Sequence, residues 1–363
     1  MAQGGFGWST NHRRPARIAP PELMEPARKF PQSFRCQIEM STPLMDPHNP
    51  SPHVNRRQWC QAAAIGLAFA GQRALAAEPS RSRCTLSIGT YSMPGMTVEK
   101  AVAAIARIGY DALEIAALPD ADAAPARMSP DRRREVKKLI ADSGLELSAL
   151  MENLTPAADK QQHRAQLDRL RGVLELAGEL GSDRKPLVQT VLGSGTWDDR
   201  KELFRDRLAD WLQAADQAGI TLAIKPHRGG ALSRPSEAIW LIQQLHNPPR
   251  LRMVYDYSHY AFRDMPLDET IRTALPYTAH VAVKDAVQQP GKVIFQLPGE
   301  SGTFDYPRLF RLFYAGGYRG DFCCEVSAMV SKKPGYDPLR AAQTCYDNMS
   351  RAMNEAGVPR RSV

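Results

Sequence analysis

The apolar run Thr221-Leu222-Ala223-Ile224 ends abruptly in Lys225-Pro226-His227-Arg228-Gly229-Gly230. A short apolar segment behind a long amphipathic one reads as a buried parallel strand, and such sheets place their chemistry at the C-terminal strand ends. Lys225 and His227 are two residues apart, so on a strand both side chains point to the same face. The plainer alternative is a strand running out into a solvated loop. Other ionisable residues sit in the same way, within or just past an apolar run: Glu114, Glu152, Asp256, His259, His280, Lys284, Asp285 and Glu325. Carboxylates and imidazoles converging on one mouth suit a divalent cation. A cation in turn stabilises the enediolate formed when a proton leaves the carbon beside a carbonyl.

Such convergence needs strands that end at one face, and the chain from residue 84 supplies them. Strand-like runs fall at 85–91, 112–116, 145–150, 186–192, from 221, 251–255, 280–283 and 322–326, alternating with helical stretches. The helices carry end signals. Thr97 caps 97–108 and Gly109 closes it; Ser129-Pro130 opens the next, which ends at Ser143-Gly144. Further helices are expected at 160–180, 198–218, 236–245, 267–275 and 337–356, with a polar loop at 288–306 before one more. Eight strand–helix units in this span match a single (β/α)₈ TIM barrel over 84–356. Its mouth would gather the ionisable residues named above.

The first 80 residues read differently. Residues 1–54 are rich in Pro, Arg and Ser without apolar period, as a disordered or mis-started extension would be, with Met45 a more natural start. Residues 55–80 place Arg56-Arg57 before the apolar run 62–71 and Ala74-Leu75-Ala76, the order of a twin-arginine export signal. A periplasmic or otherwise extracytoplasmic location is therefore expected, and the run is too short for a stable membrane span. Residues 1–76 hold nine Lys+Arg and four Asp+Glu, so they supply five of the chain's eight net positive charges. The remaining +3 gives no reason to expect a nucleic-acid partner. Of six cysteines, Cys84, Cys323, Cys324 and Cys345 follow the leader, with neither metal-finger spacing nor a disulfide framework. Cys323 and Cys324 face opposite ways on a strand, so a bridge between them is not expected.

Residues 85–352 resemble the xylose isomerase-like TIM-barrel family of sugar and sugar-phosphate isomerases and epimerases. The resemblance rests on Gly109-Tyr110-Asp111-Ala112-Leu113-Glu114, Pro226-His227-Arg228, Asp256-x-x-His259, Lys284-Asp285, the loop from Pro298-Gly299-Glu300 to Phe304-Asp305-Tyr306, and Gly317-Tyr318-Arg319-Gly320 leading to Glu325. It implies a divalent metal (Mn²⁺, Mg²⁺, Co²⁺ or Zn²⁺) held by Glu, Asp, His and a second Glu, with the two Glu moving the substrate proton. Asp256 and Glu325 match two of these positions. Lys225 stands where the first Glu is expected and Ala282 where the His is expected; His280, two residues earlier on the same face, is the available substitute.

An ammonium beside Asp256 and Glu325 repels a divalent cation and can supply the positive charge itself. The expectation is therefore that Lys225 replaces the metal, with Glu325 as general base and Glu114, Glu152, His227, Arg228, His259 and Lys284 binding a sugar or sugar derivative. A Schiff base on Lys225 is the lesser alternative. Tyr91 and Trp197 could stack on a sugar ring. Bland readings stand beside these: Glu114 paired across the mouth, His259 packed on Tyr257 or Tyr260, and His280 a core imidazole. A keto-sugar lyase or dehydratase and a non-catalytic carbohydrate-binding barrel are the rival functions.

Overall fold

The computed structural model describes residues 82–361, so the extension and the twin-arginine segment lie outside the described residues. Eight strands pair in parallel: β1 (Thr85–Gly89), β2 (Ala112–Ala116), β3 (Glu146–Met151), β4 (Leu187–Thr190), β5 (Leu222–Ile224), β6 (Leu251–Tyr255), β7 (Thr278–Val283) and β10 (Asp321–Cys324). β10 lies between β7 and β1 and closes the barrel. The strands are covered by α1 (Val98–Ile108), α2 (Pro130–Asp142), α3 (Lys160–Leu180), α4 (Trp197–Ala218), α5 (Pro235–Gln244), α6 (Leu267–Ala274), α7 (Tyr306–Ala315) and α9 (Pro338–Glu355), while a single turn, α8 (Ala328–Ser331), follows β10.

Where the local chemistry was specific, the helix ends match it. Thr97 accepts a hydrogen bond from the Lys100 amide at 3.4 Å and Gly109 closes α1 in the left-handed region at φ 101°. Ser129 accepts from the Arg132 amide, with Pro130 as the first helical residue of α2. The expected polar loop at 288–306 needs correction. Its start belongs to an antiparallel hairpin of β8 (Asp285–Gln289) and β9 (Lys292–Gln296), turning at Pro290-Gly291 with Gly291 at φ 71°. Consecutive glutamines beside that turn weakened the alternation that marks a strand.

The barrel interior has two chemistries. Toward β4–β7 it is filled by Ala223, Val254 and Ala282 with Leu187 against them. Toward β1, β2 and β10 it is polar, with Thr85, Ser87, Glu114, His280 and Asp321 all buried. Inward positions recur every second residue. β10 and its extension therefore present Asp321, Cys323 and Glu325 in succession, and β7 presents His280, Ala282 and Lys284.

Candidate active site at the barrel mouth

Lys225, Asp256, Lys284 and Glu325 each follow directly on a barrel strand, and all four are buried. Backbone pairing fixes two of them: the Lys225 amide bonds to the Thr190 carbonyl and the Glu325 amide to the Val283 carbonyl, both at 2.9 Å. Lys225 Nζ lies 2.5 Å from Glu325 Oε2 and 3.0 Å from Asp256 Oδ2. Lys284 Nζ donates to Glu325 Oε1 at 2.6 Å. Asp256 is aimed by its own turn, its Oδ1 accepting from the Ser258 amide at 3.1 Å and the Ser258 hydroxyl at 2.6 Å.

The result is a buried set of two ammoniums and two carboxylates. Burial alone would raise the Glu325 carboxyl, but Lys225 and Lys284 outweigh it and hold it at about 2. Burial would likewise raise Asp256, yet His259 and Lys225 bring it well below the usual carboxylate range. Burial would lower Lys225, and Glu325 and Asp256 overcome that, so its pKa is raised and it stays an ammonium. A Schiff-base role for Lys225 is thereby disfavoured, because only the neutral amine is nucleophilic. The two imidazoles are both pushed toward the neutral form. His227, lowered by burial and by its neighbour His259, titrates at about 3, and buried His259 at about 4. Their ring centroids lie 4.0 Å apart, with the planes tilted by 50°. The Gly229 amide donates to His227 Nδ1 at 3.2 Å, which leaves the proton of the neutral ring on Nε2.

A cavity of about 350 Å³ opens onto this set, walled by Tyr91, Asn153, Gln189, Lys225, His227, Lys284, Phe295, Glu325 and Met329 among others. That is a small-molecule volume. A larger cleft of about 590 Å³ shares Tyr91 and Ala328 with it, but Lys225, Lys284 and Glu325 line the smaller one. Phe295 reaches the cavity from β9, with Lys284 Nζ 4.9 Å from its ring centroid. Both Asp285 oxygens hold Ser301, at 2.6 and 3.0 Å, tying the segment after the hairpin to the end of β7.

Several expected binding residues are engaged elsewhere. Glu114 lies inside the barrel, where its carboxylate takes a short hydrogen bond from Gln189 and sits 3.5 Å from His280 Nε2. The Glu152 carboxylate is paired with Arg169. Arg228 donates to the Ser258 and Ala261 carbonyls, bracing the loop after β6. Trp197 packs edge-on against Trp240. His259 is fully buried, 3.3 Å from Asp256 Oδ2. His280 does not join Asp256 and Glu325; its ring faces Glu114 and, at 3.8 Å, Asp321. Gln189 and Phe295 were not anticipated. The alternation of Leu187 with Gln189 on β4 and the Pro290-Gly291 turn were the signals that could have found them.

A closed eight-stranded parallel barrel with a charged small-molecule cavity at its strand ends defines a class of barrel enzymes and binding proteins. Within it, the family model for the xylose isomerase-like TIM barrel matches residues 102–356, and the chain belongs to that family. It is 22% identical over 253 residues to L-ribulose-5-phosphate 3-epimerase UlaE of Salmonella typhi, covering 68% of this chain and 87% of that protein. Among solved structures it is similar to 3-keto-D-glucoside 4-epimerase YcjR from E. coli (TM-score 0.58, 15% identity, 75% of this chain and 100% of the other). It is also similar to a xylose isomerase-like TIM barrel protein from Mycobacterium smegmatis in complex with magnesium (TM-score 0.57, 18% identity, 75% and 97%).

The mouth does not fit a divalent cation held as the resemblance implies. Of the four positions, Lys225 is a cation and Ala282 has no donor, while both remaining carboxylates are already paired with ammoniums. A dication about 4 Å from one ammonium is opposed by about 8 kcal/mol at an effective dielectric of about 20. Two ammoniums share Glu325 here.

Proposed function

We propose that the protein is a sugar isomerase or epimerase in which Lys225, in place of a metal, holds the substrate oxygen beside the carbon that loses its proton. The observation that carries this reading is the position of Lys225 Nζ, between Asp256 and Glu325 in the wall of the cavity. A carbonyl oxygen entering the cavity takes an N–H of Lys225 or Lys284. That loosens the clamp on Glu325, whose basicity rises as its ammonium partner turns to the substrate. Glu325 then accepts the proton from the carbon beside the carbonyl. The electron pair of the broken C–H bond moves onto the carbonyl oxygen, and the ammonium stabilises the resulting enediolate. Return of the proton to the former carbonyl carbon, as the hydroxyl proton on the deprotonated carbon passes to the former carbonyl oxygen, gives isomerisation; delivery of a solvent proton to the opposite face of the deprotonated carbon, with Glu325 releasing its own proton to solvent, gives epimerisation.

Membership of the family and the epimerase relatives support this reading at the level of reaction class. The substrate proposed is a neutral sugar. The charged set is internally balanced and both histidines are neutral at pH 7, which leaves no surplus cation for a phosphate within this set among the described residues. Export by the twin-arginine route is the location proposed, on residues 55–80. One observation favours a sugar-binding barrel instead: Glu325 at about 2 is a weak base at rest.

Proton exchange separates the two. Keto-sugars incubated with the protein in D₂O should take up deuterium beside the carbonyl, at a rate that falls about 10²–10⁴-fold in Glu325→Gln. Sugar binding with no exchange above background would establish the binder and refute the enzyme.

A further inference from the structure

We propose that Glu114, His280 and Cys323 form a separate interior site for a divalent cation of the Zn²⁺ kind, deeper in the barrel than the mouth. One ligand atom from each, on β2, β7 and β10, lies within 4.8 Å of the others, and all three residues are buried. An unpartnered atom points into the cluster: His280 Nε2 has no hydrogen-bond partner and sits 3.5 Å from Glu114 Oε2. That spacing is long for a charge-assisted hydrogen bond, normally about 2.7–2.9 Å. It is close to the edge of a tetrahedron built on bonds of about 2.0–2.1 Å, which is about 3.3 Å.

The surroundings are those that hold metal ligands in place. The other imidazole nitrogen, Nδ1, faces Asp321 Oδ2 at 3.8 Å, and Asp321 is anchored by the Thr85 hydroxyl at 2.7 Å and by a short bond from Ser87. Gln189 donates to Glu114 from the cavity side. Gly89 makes room for that carboxylate: a Cβ there would stand 2.9 Å from Glu114 Oε1. Charge argues the same way. Neither Glu114 nor Asp321 has a Lys or Arg partner among the described residues, although both are buried. A buried carboxylate either gains a compensating cation or is pushed by burial toward its neutral acid, the direction in which burial moves Asp321, and a bound cation would restore the charge. A donor set of thiol, imidazole and carboxylate selects Zn²⁺ over Mg²⁺ or Mn²⁺, which prefer oxygen. On binding, the Cys323 thiol releases its proton to solvent and its sulfur joins the cation as thiolate.

The test uses the full protein, stripped with chelator and titrated with Co²⁺ as a spectroscopic substitute for Zn²⁺. One equivalent should bind with a thiolate-to-cobalt charge-transfer band in the near ultraviolet. That band should vanish in Cys323→Ser and persist in Cys324→Ser, whose sulfur faces the other side of the strand. Asp321→Asn should weaken Co²⁺ binding about 10–100-fold. X-ray absorption of the Zn²⁺-loaded wild type, which needs no variant to fold, should find one sulfur at about 2.3 Å. A Co²⁺ spectrum without the sulfur band, binding abolished by Asp256→Asn, or no stoichiometric binding would each overturn the proposal. Proton exchange on keto-sugars reads the mouth and is scored separately.

Discussion

The mouth and the layer beneath it are built from the same strands and solve the same electrostatic problem differently. At the mouth, Asp256 and Glu325 are balanced by Lys225 and Lys284. Deeper in the barrel, where Asp321 and His280 each stand four residues, about 13 Å along a strand, before Glu325 and Lys284, Glu114 and Asp321 face a single imidazole at 3.5 and 3.8 Å. A buried carboxylate pair that brings its own ammoniums has no place for a metal. A pair without them has charge to spare and donor atoms already converging. Family membership alone would have put the cation at the mouth; the side chains present move the favourable location inward.

The largest expected effect on this contrast comes from Glu325→Gln, the exchange-rate loss described above. Next is Lys225→Met, which leaves Asp256 and Glu325 short of one cation. Removing one partner of a buried ion pair costs about 3–5 kcal/mol, to be read from urea denaturation at pH 7. Lys225→Glu should restore a metal-like mouth and raise Mn²⁺ affinity in calorimetry, and unchanged affinity would break the repulsion argument.

Acid should act in one direction. The folded values of His227 (about 3) and His259 (about 4) lie below the ordinary 6.5, and Glu325 (about 2) lies below 4.5. In each case the unfolded chain binds the proton first, so stability is complete above about pH 6.5. It is lost progressively as pH falls from 6.5 to about 4 for His259 and about 3 for His227, and between 4.5 and 2 for the carboxylate. Thermal midpoints measured from pH 7 down to 4 should decline steadily; a flat profile would mean these groups are not held as described. The smallest effect is expected from Phe295→Leu. Loss of the ring beside Lys284 is worth about 0.5–1 kcal/mol, a two- to five-fold change in sugar affinity.

Much of the mouth is legible in the sequence, for a topological reason. In a parallel barrel every strand ends at one face, so residues just past eight apolar runs must meet there. Lys225, His227, Lys284 and Glu325 do line the cavity, with Asp256 paired to Lys225. Residues placed within strands or along loops were harder. Glu114 and Glu152 look alike in sequence, but one turns into the barrel toward His280 and the other is taken by an arginine on α3. Phe295 was hidden because its hairpin is short and flanked by glutamines.

The sequence by itself therefore determined the barrel, the helix ends with capping chemistry and the gathering of Lys225, Asp256 and Glu325 at one mouth, since periodicity, caps and strand ends are local signals. The tertiary structure alone decided which charge faces which. Closure sets β10 between β7 and β1, and the pleat decides that Cys323 points inward to Glu114 and His280 while Cys324 points out. Partners contributed by different strands depend on registers and side-chain directions that no single segment encodes.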